Sequence, residues 1–380
     1  MMKTDNCKDK LHGFIEVLVP TTICNIKCHY CYVVQHDYRT MKKAEFNHSP
    51  QEIAEALRPE RFGGIMYISF CGAGETLSVP ELPEIIKEVL LTGNYVNITN
   101  NGTMTNAIEK ILSIVPKALL CHLNFSFSLH YLEMKKYNLL DRFFDNVKKV
   151  HDAGCSFVLQ MQHCDEYEPY YDEISEKCLT EVKALPQVVV TRKESIDYTS
   201  YNFMTNHTDT DYIKSAERFH SPLFELTSKN FRVSRKNDFC YAGKWTYSLN
   251  LSTGLLRPCY FSTYGINIYE HKGKIKLNPV GHHCGTLYCA NASHFIALGA
   301  IPSCKIKSYA DLRNRKCNDG TEWYTPEMKN LLSQKLYDNR IYSKTDALSA
   351  EIGFIKDWLT KWKIRLAYSI NRRLPKRKHD

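Results

Sequence analysis

The 380-residue chain lacks any apolar run approaching the roughly 18 residues that a transmembrane helix requires. Residues 14–19 form a short apolar stretch near the start. It is too short for the core of a secretion signal and precedes no small-residue cleavage site. A cytoplasmic protein is therefore expected. Low-complexity segments and repeats longer than a strand–helix unit are also missing. So is a basic charge spread over the chain. The net charge is +9, yet residues 361–380 alone hold eight Lys or Arg against one Asp, which leaves the rest near neutral. Proteins that grip nucleic acid carry basic charge across a face of the fold, so a nucleic-acid partner is not expected. The basic end reads as a solvated tail, with RNA, an acidic carrier or a membrane surface as alternative contacts.

Cysteine, by contrast, is abundant, with 15 residues. A reducing compartment does not support a disulfide framework of that size, so some of these thiols are expected to ligate metal. Cys7, Cys121, Cys155, Cys164 and Cys178 are scattered and read as ordinary thiols.

The first half alternates strand and helix patterns. Strands are predicted at 13–19, 65–71, 95–99, 119–128, 156–162 and 187–191. A helix starts where Ser49 can cap, Pro50 opens and Glu52 completes a capping box. Further helices are predicted at 81–91, 106–115, 140–153 and 170–184. Six such units imply a parallel sheet with helices outside. The pattern alone fits a doubly wound sheet and an incomplete barrel equally well. Either architecture collects its chemistry at the C-terminal strand ends. A helical linker is predicted over 198–235, and a cysteine-bearing segment over 238–304 with strands at 245–251 and 266–277. The remainder reads as mainly helical, amphipathic over 347–366.

Cys24, Cys28 and Cys31 fall in the loop after the first strand. Three thiolates so close together can hold three irons of a cubane and leave the fourth iron open. Four-donor zinc is the competing reading, since Cys28 and Cys31 form a Cys-x2-Cys pair. The spacing Cys-x3-Cys-x2-Cys, with Tyr30 before the last cysteine, resembles the signature of the radical S-adenosylmethionine (SAM) superfamily. The resemblance implies a [4Fe–4S] cluster whose open iron binds SAM, and an incomplete (β/α)6 barrel. Gly74, Glu75 and Thr76 lie where the family carries its Gly-Gly-Glu loop, with Ala73 and Thr76 departing from that pattern. Asn101 and Gly102 match part of a Thr-Asn-Gly loop, and Ser128 ends the fourth strand. The resemblance assigns Tyr30, Gly74, Glu75, Thr76, Asn101 and Ser128 to SAM binding. His130 reads as a structural hydrogen-bonding residue.

Cys240 and Cys259 flank a hairpin with Gly254 at its turn. This resembles the start of the SPASM and twitch auxiliary-cluster domains of radical SAM enzymes. The resemblance implies an auxiliary [4Fe–4S] cluster on Cys240, Cys259, Cys284 and Cys289, with Cys304 in reserve and a four-cysteine zinc site as the alternative. A fully ligated auxiliary cluster would relay electrons. The expected fold is α/β: a partial (β/α)6 TIM-like barrel (1–198), a linker (199–236), a small cysteine-rich α+β domain (237–304) and a helical C-terminal extension (305–380). The expected activity is reductive cleavage of SAM and hydrogen abstraction from a small molecule or carbohydrate, with a peptide substrate as the alternative. No recognition domain is expected before the barrel. The expected reductant is a flavodoxin or ferredoxin. An RNA-modifying enzyme and a non-enzymatic metal-binding module are the readings from other classes.

Overall fold

The computed structural model describes residues 9–194, 201–230, 233–286, 288–289 and 291–373. Cys7 and the basic tail over 374–380 lie outside the described residues, as do parts of the predicted linker.

Six strands run parallel and adjacent in chain order: β1 (Gly13–Val19), β2 (Met66–Gly72), β3 (Tyr95–Asn100), β4 (Leu123–Leu129), β5 (Ser156–His163) and β6 (Gln187–Val190). A doubly wound sheet reverses its strand order at a switch point; this one does not. Right-handed crossovers in one direction put all connecting helices on one side. The outcome is the partial barrel.

Strand alternation divides the two faces of the sheet. Ile15, Val17, Ile68, Phe70, Val96, Ile98, Phe125 and Phe127 are fully buried, on the face toward the helices. The inner face is polar. Asn97 of β3 donates to Ser69 Oγ at 2.9 Å, and its Oδ1 accepts from Asn124 at 2.6 Å and Ser126 at 2.8 Å. Asn97 thus gives Ser69, Asn124 and Ser126 each a partner across neighbouring strands.

The barrel stays open. After β6 come a separate antiparallel ribbon, β7 (Arg192–Glu194) with β8 (Tyr201–Phe203), and the helices Asp209–Ala216 and Pro222–Asn230. The chain then returns to the other edge of the sheet. There β9 (Thr246–Asn250) pairs parallel with β1, followed by β10 (Leu255–Arg257) and β11 (Ile266–Asn267). Gly254, at φ +70°, makes the β9–β10 turn that its sequence position predicts. Two predicted strands come out shorter. Lys117–His122 is a 3₁₀ turn ahead of β4, and the strand predicted over 266–277 stops at Asn267. Three-residue β10 offers no further backbone to pair, and the Tyr269 hydroxyl instead bonds the Leu251 carbonyl at 2.5 Å.

The helix Leu140–Asp152 shows how the outer layer positions a loop. Buried Asn146 donates to the Gly102 carbonyl at 2.8 Å and to Thr105 Oγ1 at 3.0 Å, tying down the loop after β3. Asn146→Ala should cost about 1–3 kcal/mol by leaving that carbonyl buried and unsatisfied. Chemical denaturation against the parent protein measures it.

Candidate SAM and cluster site

The cysteine loop leaves β1 beside the loop that leaves β2, because Val19 is in register with Gly72. The Cys31 carbonyl starts the short helix Tyr32–Gln35, accepting the N–H groups of Val34 and Gln35 at 2.9 Å. Cys24, Cys28 and Cys31 line one cavity of about 220 Å³. Residues 72–76, Thr99, Asn100, Asn101, Ser128 and His130 complete its wall. Gly74, Glu75, Thr76, Asn101 and Ser128 thus meet the three thiols from three further strand ends.

Burial pushes the Cys24 and Cys28 thiols up, and neighbouring thiols act in the same direction. Thiols as poorly solvated as Cys24 and Cys28 become anionic only beside a compensating cation. The donor set therefore fits an iron–sulfur cluster. Among the described residues no three His, Cys, Asp or Glu groups converge on a single-ion position. A cubane instead asks for one thiolate at each of three irons.

Glu75 joins the loops. Its N–H donates to the Ile23 carbonyl at 2.6 Å, one carboxylate oxygen accepts from Leu77 N–H at 2.9 Å, and the other accepts from Asn101 N–H at 2.8 Å. Burial raises this carboxyl to about 7, while those two N–H groups draw it down. A ligand ammonium beside it would favour the charged form.

Tyr30 is not among the residues lining the cavity. Its buried hydroxyl meets His130 Nδ1 at 2.8 Å and the Tyr167 hydroxyl at 2.9 Å. Desolvation lowers the His130 imidazole to about 4, so it stays neutral and serves this network.

Two participants escaped the sequence reading. Asn25 Oδ1 accepts from Asn101 Nδ2 at 2.8 Å, and its Nδ2 donates to Thr103 Oγ1 at 2.9 Å. Its place inside the cysteine loop was the available signal. Arg39 donates to the Cys24 carbonyl at 2.7 Å and lines the cavity. No local pattern marks it, because the contact exists only once residues 36–42 fold back.

A second cavity is lined by Cys240, Cys259, Cys284 and Cys289. Burial again raises Cys240, Cys259 and Cys289, with Cys259 pushed up to about 12. Four free thiols on one cavity, with no single-ion convergence among the described residues, suit a fully ligated cluster better than four-cysteine zinc. Cys304 packs near Cys240 and Cys289 but does not line that cavity. Glu16, in the inner wall of β1, stands beside Tyr260, Asn291 and Cys71, and burial raises its carboxyl. The wall of the barrel and the second cavity are thus neighbours.

Gly74 gives a direct test of the packing between loops. A Cβ there would lie 2.2 Å from the Ile23 carbonyl oxygen and 2.7 Å from the Thr22 carbonyl carbon, both backbone. Gly74→Ala should cost about 1–3 kcal/mol and displace the cysteine loop. Thermal unfolding and iron retention after anaerobic reconstitution would both fall; parent-like values in both would contradict the packing.

The family model of the Radical SAM superfamily matches residues 18–163. No curated protein matches the chain. Among solved structures, Streptococcus suis SuiB is 15% identical over 69% of this chain and 64% of its own, with a TM-score of 0.48. The chain therefore spans less than two thirds of SuiB's length. The structure of native anSMEcpe with bound AdoMet is 13% identical over 94% of this chain and 100% of its own, with a TM-score of 0.45. The stretch matched by the family model runs from the end of β1 to the end of β5, and so includes the three-cysteine loop and the loops after β2, β3 and β4. Residues 18–163 of this chain are a Radical SAM superfamily domain.

Proposed function

We propose that the chain is a radical SAM enzyme that abstracts hydrogen from an organic substrate at the barrel mouth. The observation that carries this reading is the single cavity shared by Cys24, Cys28, Cys31 and the ends of β2, β3 and β4. A bound [4Fe–4S] cluster would supply the reductive cleavage of SAM that yields a 5′-deoxyadenosyl radical. Cys24, Cys28 and Cys31 would hold that cluster. Glu75 and the backbone around Gly74 would receive the SAM amino group, where glycine permits close approach. Asn101, Thr76 and Ser128 offer polar contacts along the same wall. Tyr30 would act from behind, holding His130 and the cysteine loop in place.

Cys240, Cys259, Cys284 and Cys289 would hold an auxiliary [4Fe–4S] cluster. With every iron ligated, that group would accept or relay an electron. Glu16, beside Tyr260, Asn291 and Cys71, lies in the barrel wall next to the second cavity, which Asn291 lines. A flavodoxin or ferredoxin is the proposed reductant.

The substrate has two readings. The sequence favours a small molecule or carbohydrate. The β7–β8 ribbon supports a peptide: it is a separate two-stranded sheet after β6, and an extended chain can add to such an edge. SuiB has been solved with its precursor peptide SuiA, and anSMEcpe with a peptide. The peptide reading is the one we carry forward.

The test is anaerobic reconstitution followed by addition of SAM and dithionite. The parent protein should bind roughly eight irons with matching sulfide, as two cubanes require, and release 5′-deoxyadenosine. Cys28→Ala should reduce that release to background while keeping the auxiliary iron. Intact clusters without any 5′-deoxyadenosine would refute the enzyme, and stoichiometric zinc would favour the metal-binding module. Neighbouring-gene peptides and nucleotide sugars, assayed for binding side by side, separate the substrate classes.

A further inference from the structure

The C-terminal helix Asp346–Arg373 leaves an apolar stripe without a partner. One side of its first half is docked. Asn278 Nδ2 donates to the Ser349 carbonyl at 2.9 Å, Asp357 accepts from Thr263 N–H at 2.6 Å, and Ala350 and Gly353 are buried. Beyond Lys361 the helix leaves the body of the protein, and every residue from Trp362 to Ser369 is exposed.

Leu348, Ile352, Ile355, Leu359, Trp362 and Leu366 follow one another at spacings of four, three, four, three and four. At about 100° per residue they form one line, on the side away from the docked residues. All six are exposed, from 42% at Ile352 and Leu359 to 63% at Leu348. Trp358 is 56% exposed beside them. A contiguous apolar strip of this length marks a surface that meets something.

Charge selects the partner. The acidic residues of the helix are already engaged: Asp346 with Lys244, Glu351 with His283, and Asp357 with Lys361. Lys356 and Lys363 border one edge of the stripe and Arg365 the other, and among the described residues none of them pairs with a carboxylate. The sequence adds Arg372, Arg373, Lys376, Arg377 and Lys378. A second copy packed in parallel would set two such basic ends together, which is repulsive, and one packed antiparallel would cover the stripe but leave the basic ends without a counter-charge, since the helix's acidic residues are already paired. RNA would neutralise the charge but leave Leu and Ile in water. An anionic bilayer satisfies both features: apolar side chains and Trp enter the headgroup–acyl boundary while Lys and Arg meet lipid phosphate. Among the described residues no helix is long and apolar enough to cross a membrane, so the contact would lie in the interface plane.

We infer that this helix is a peripheral docking surface for an anionic lipid bilayer, with Leu348, Ile352, Ile355, Leu359, Trp362 and Leu366 as the inserting edge. The same helix lines the second cysteine cavity through Asp357 and Lys361, so docking would occur on the side of the molecule that carries that cavity.

The test uses the full, reconstituted chain with vesicles of phosphatidylcholine alone and of phosphatidylcholine with phosphatidylglycerol. The four tryptophans make it direct. Trp245 and Trp323 are buried, whereas Trp358 and Trp362 belong to the exposed helix. Co-sedimentation with the anionic vesicles should be at least about tenfold stronger than with the neutral ones, weaken with salt, and bring a blue shift of tryptophan emission. Leu359→Glu with Trp362→Glu should lower anionic-vesicle binding at least about tenfold while leaving 5′-deoxyadenosine release unchanged. Lys363→Glu with Arg365→Glu should remove the preference for anionic lipid. Equal binding to both vesicles, no binding, or binding that survives the Leu359 and Trp362 changes would overturn the inference. So would a lipid-free dimer, seen by light scattering, that those changes dissolve. Binding to an RNA oligonucleotide in place of vesicles would also overturn it.

Discussion

The pairing of β1 on both of its edges governs the rest of the molecule. On one side it runs parallel to β2 over its whole length, and on the other parallel to β9. Because β1 and β2 are parallel and in register, the loops that leave them emerge together. The cysteine loop and the Gly74–Glu75 turn then touch through the Ile23 carbonyl and the Glu75 N–H. Because β9 joins the other edge, the later cysteine segment becomes part of the same sheet. One strand therefore carries the three-thiol loop and also couples it to the four-thiol cavity.

Several polar groups around the first cavity bond one another before any ligand arrives. Glu75 accepts two backbone N–H groups, and Asn101 bonds Asn25 while Asn25 bonds Thr103. Buried acceptors held this way are costly to disturb, so the loops have little freedom to drift apart. The Tyr30–His130–Tyr167 contacts do the same from behind the cysteine loop. The cavity is thus prepared by hydrogen bonds among loops, on a scaffold set by β-sheet register.

Much of this was legible in the chain. Ser49, Pro50 and Glu52 form the capping box that their order announces, since capping depends on residues within one turn. The strand–helix alternation gave the positions of six parallel strands to within a few residues. The three-cysteine loop and the residues at successive strand ends were visible because each lies in a short local pattern. Arg39 and Glu16 were not: Arg39 meets the Cys24 carbonyl only once its loop folds back, and Glu16 meets side chains far away in sequence. The polar lining of the barrel was also invisible, since Ser69, Asn97, Asn124 and Ser126 read individually as interruptions of apolar strands.

The sequence by itself determined the βα repeat, the cysteine spacing and the basic, amphipathic end, all of them periodicities or neighbour relations within a few residues. Only the tertiary structure decided between a doubly wound sheet and a partial barrel, because strand order is a long-range property. It also decided that four distant cysteines face one cavity. And it decided which side of the last helix is spent on the body and which is left in water, since periodicity marks an apolar stripe but contacts alone show whether it is covered.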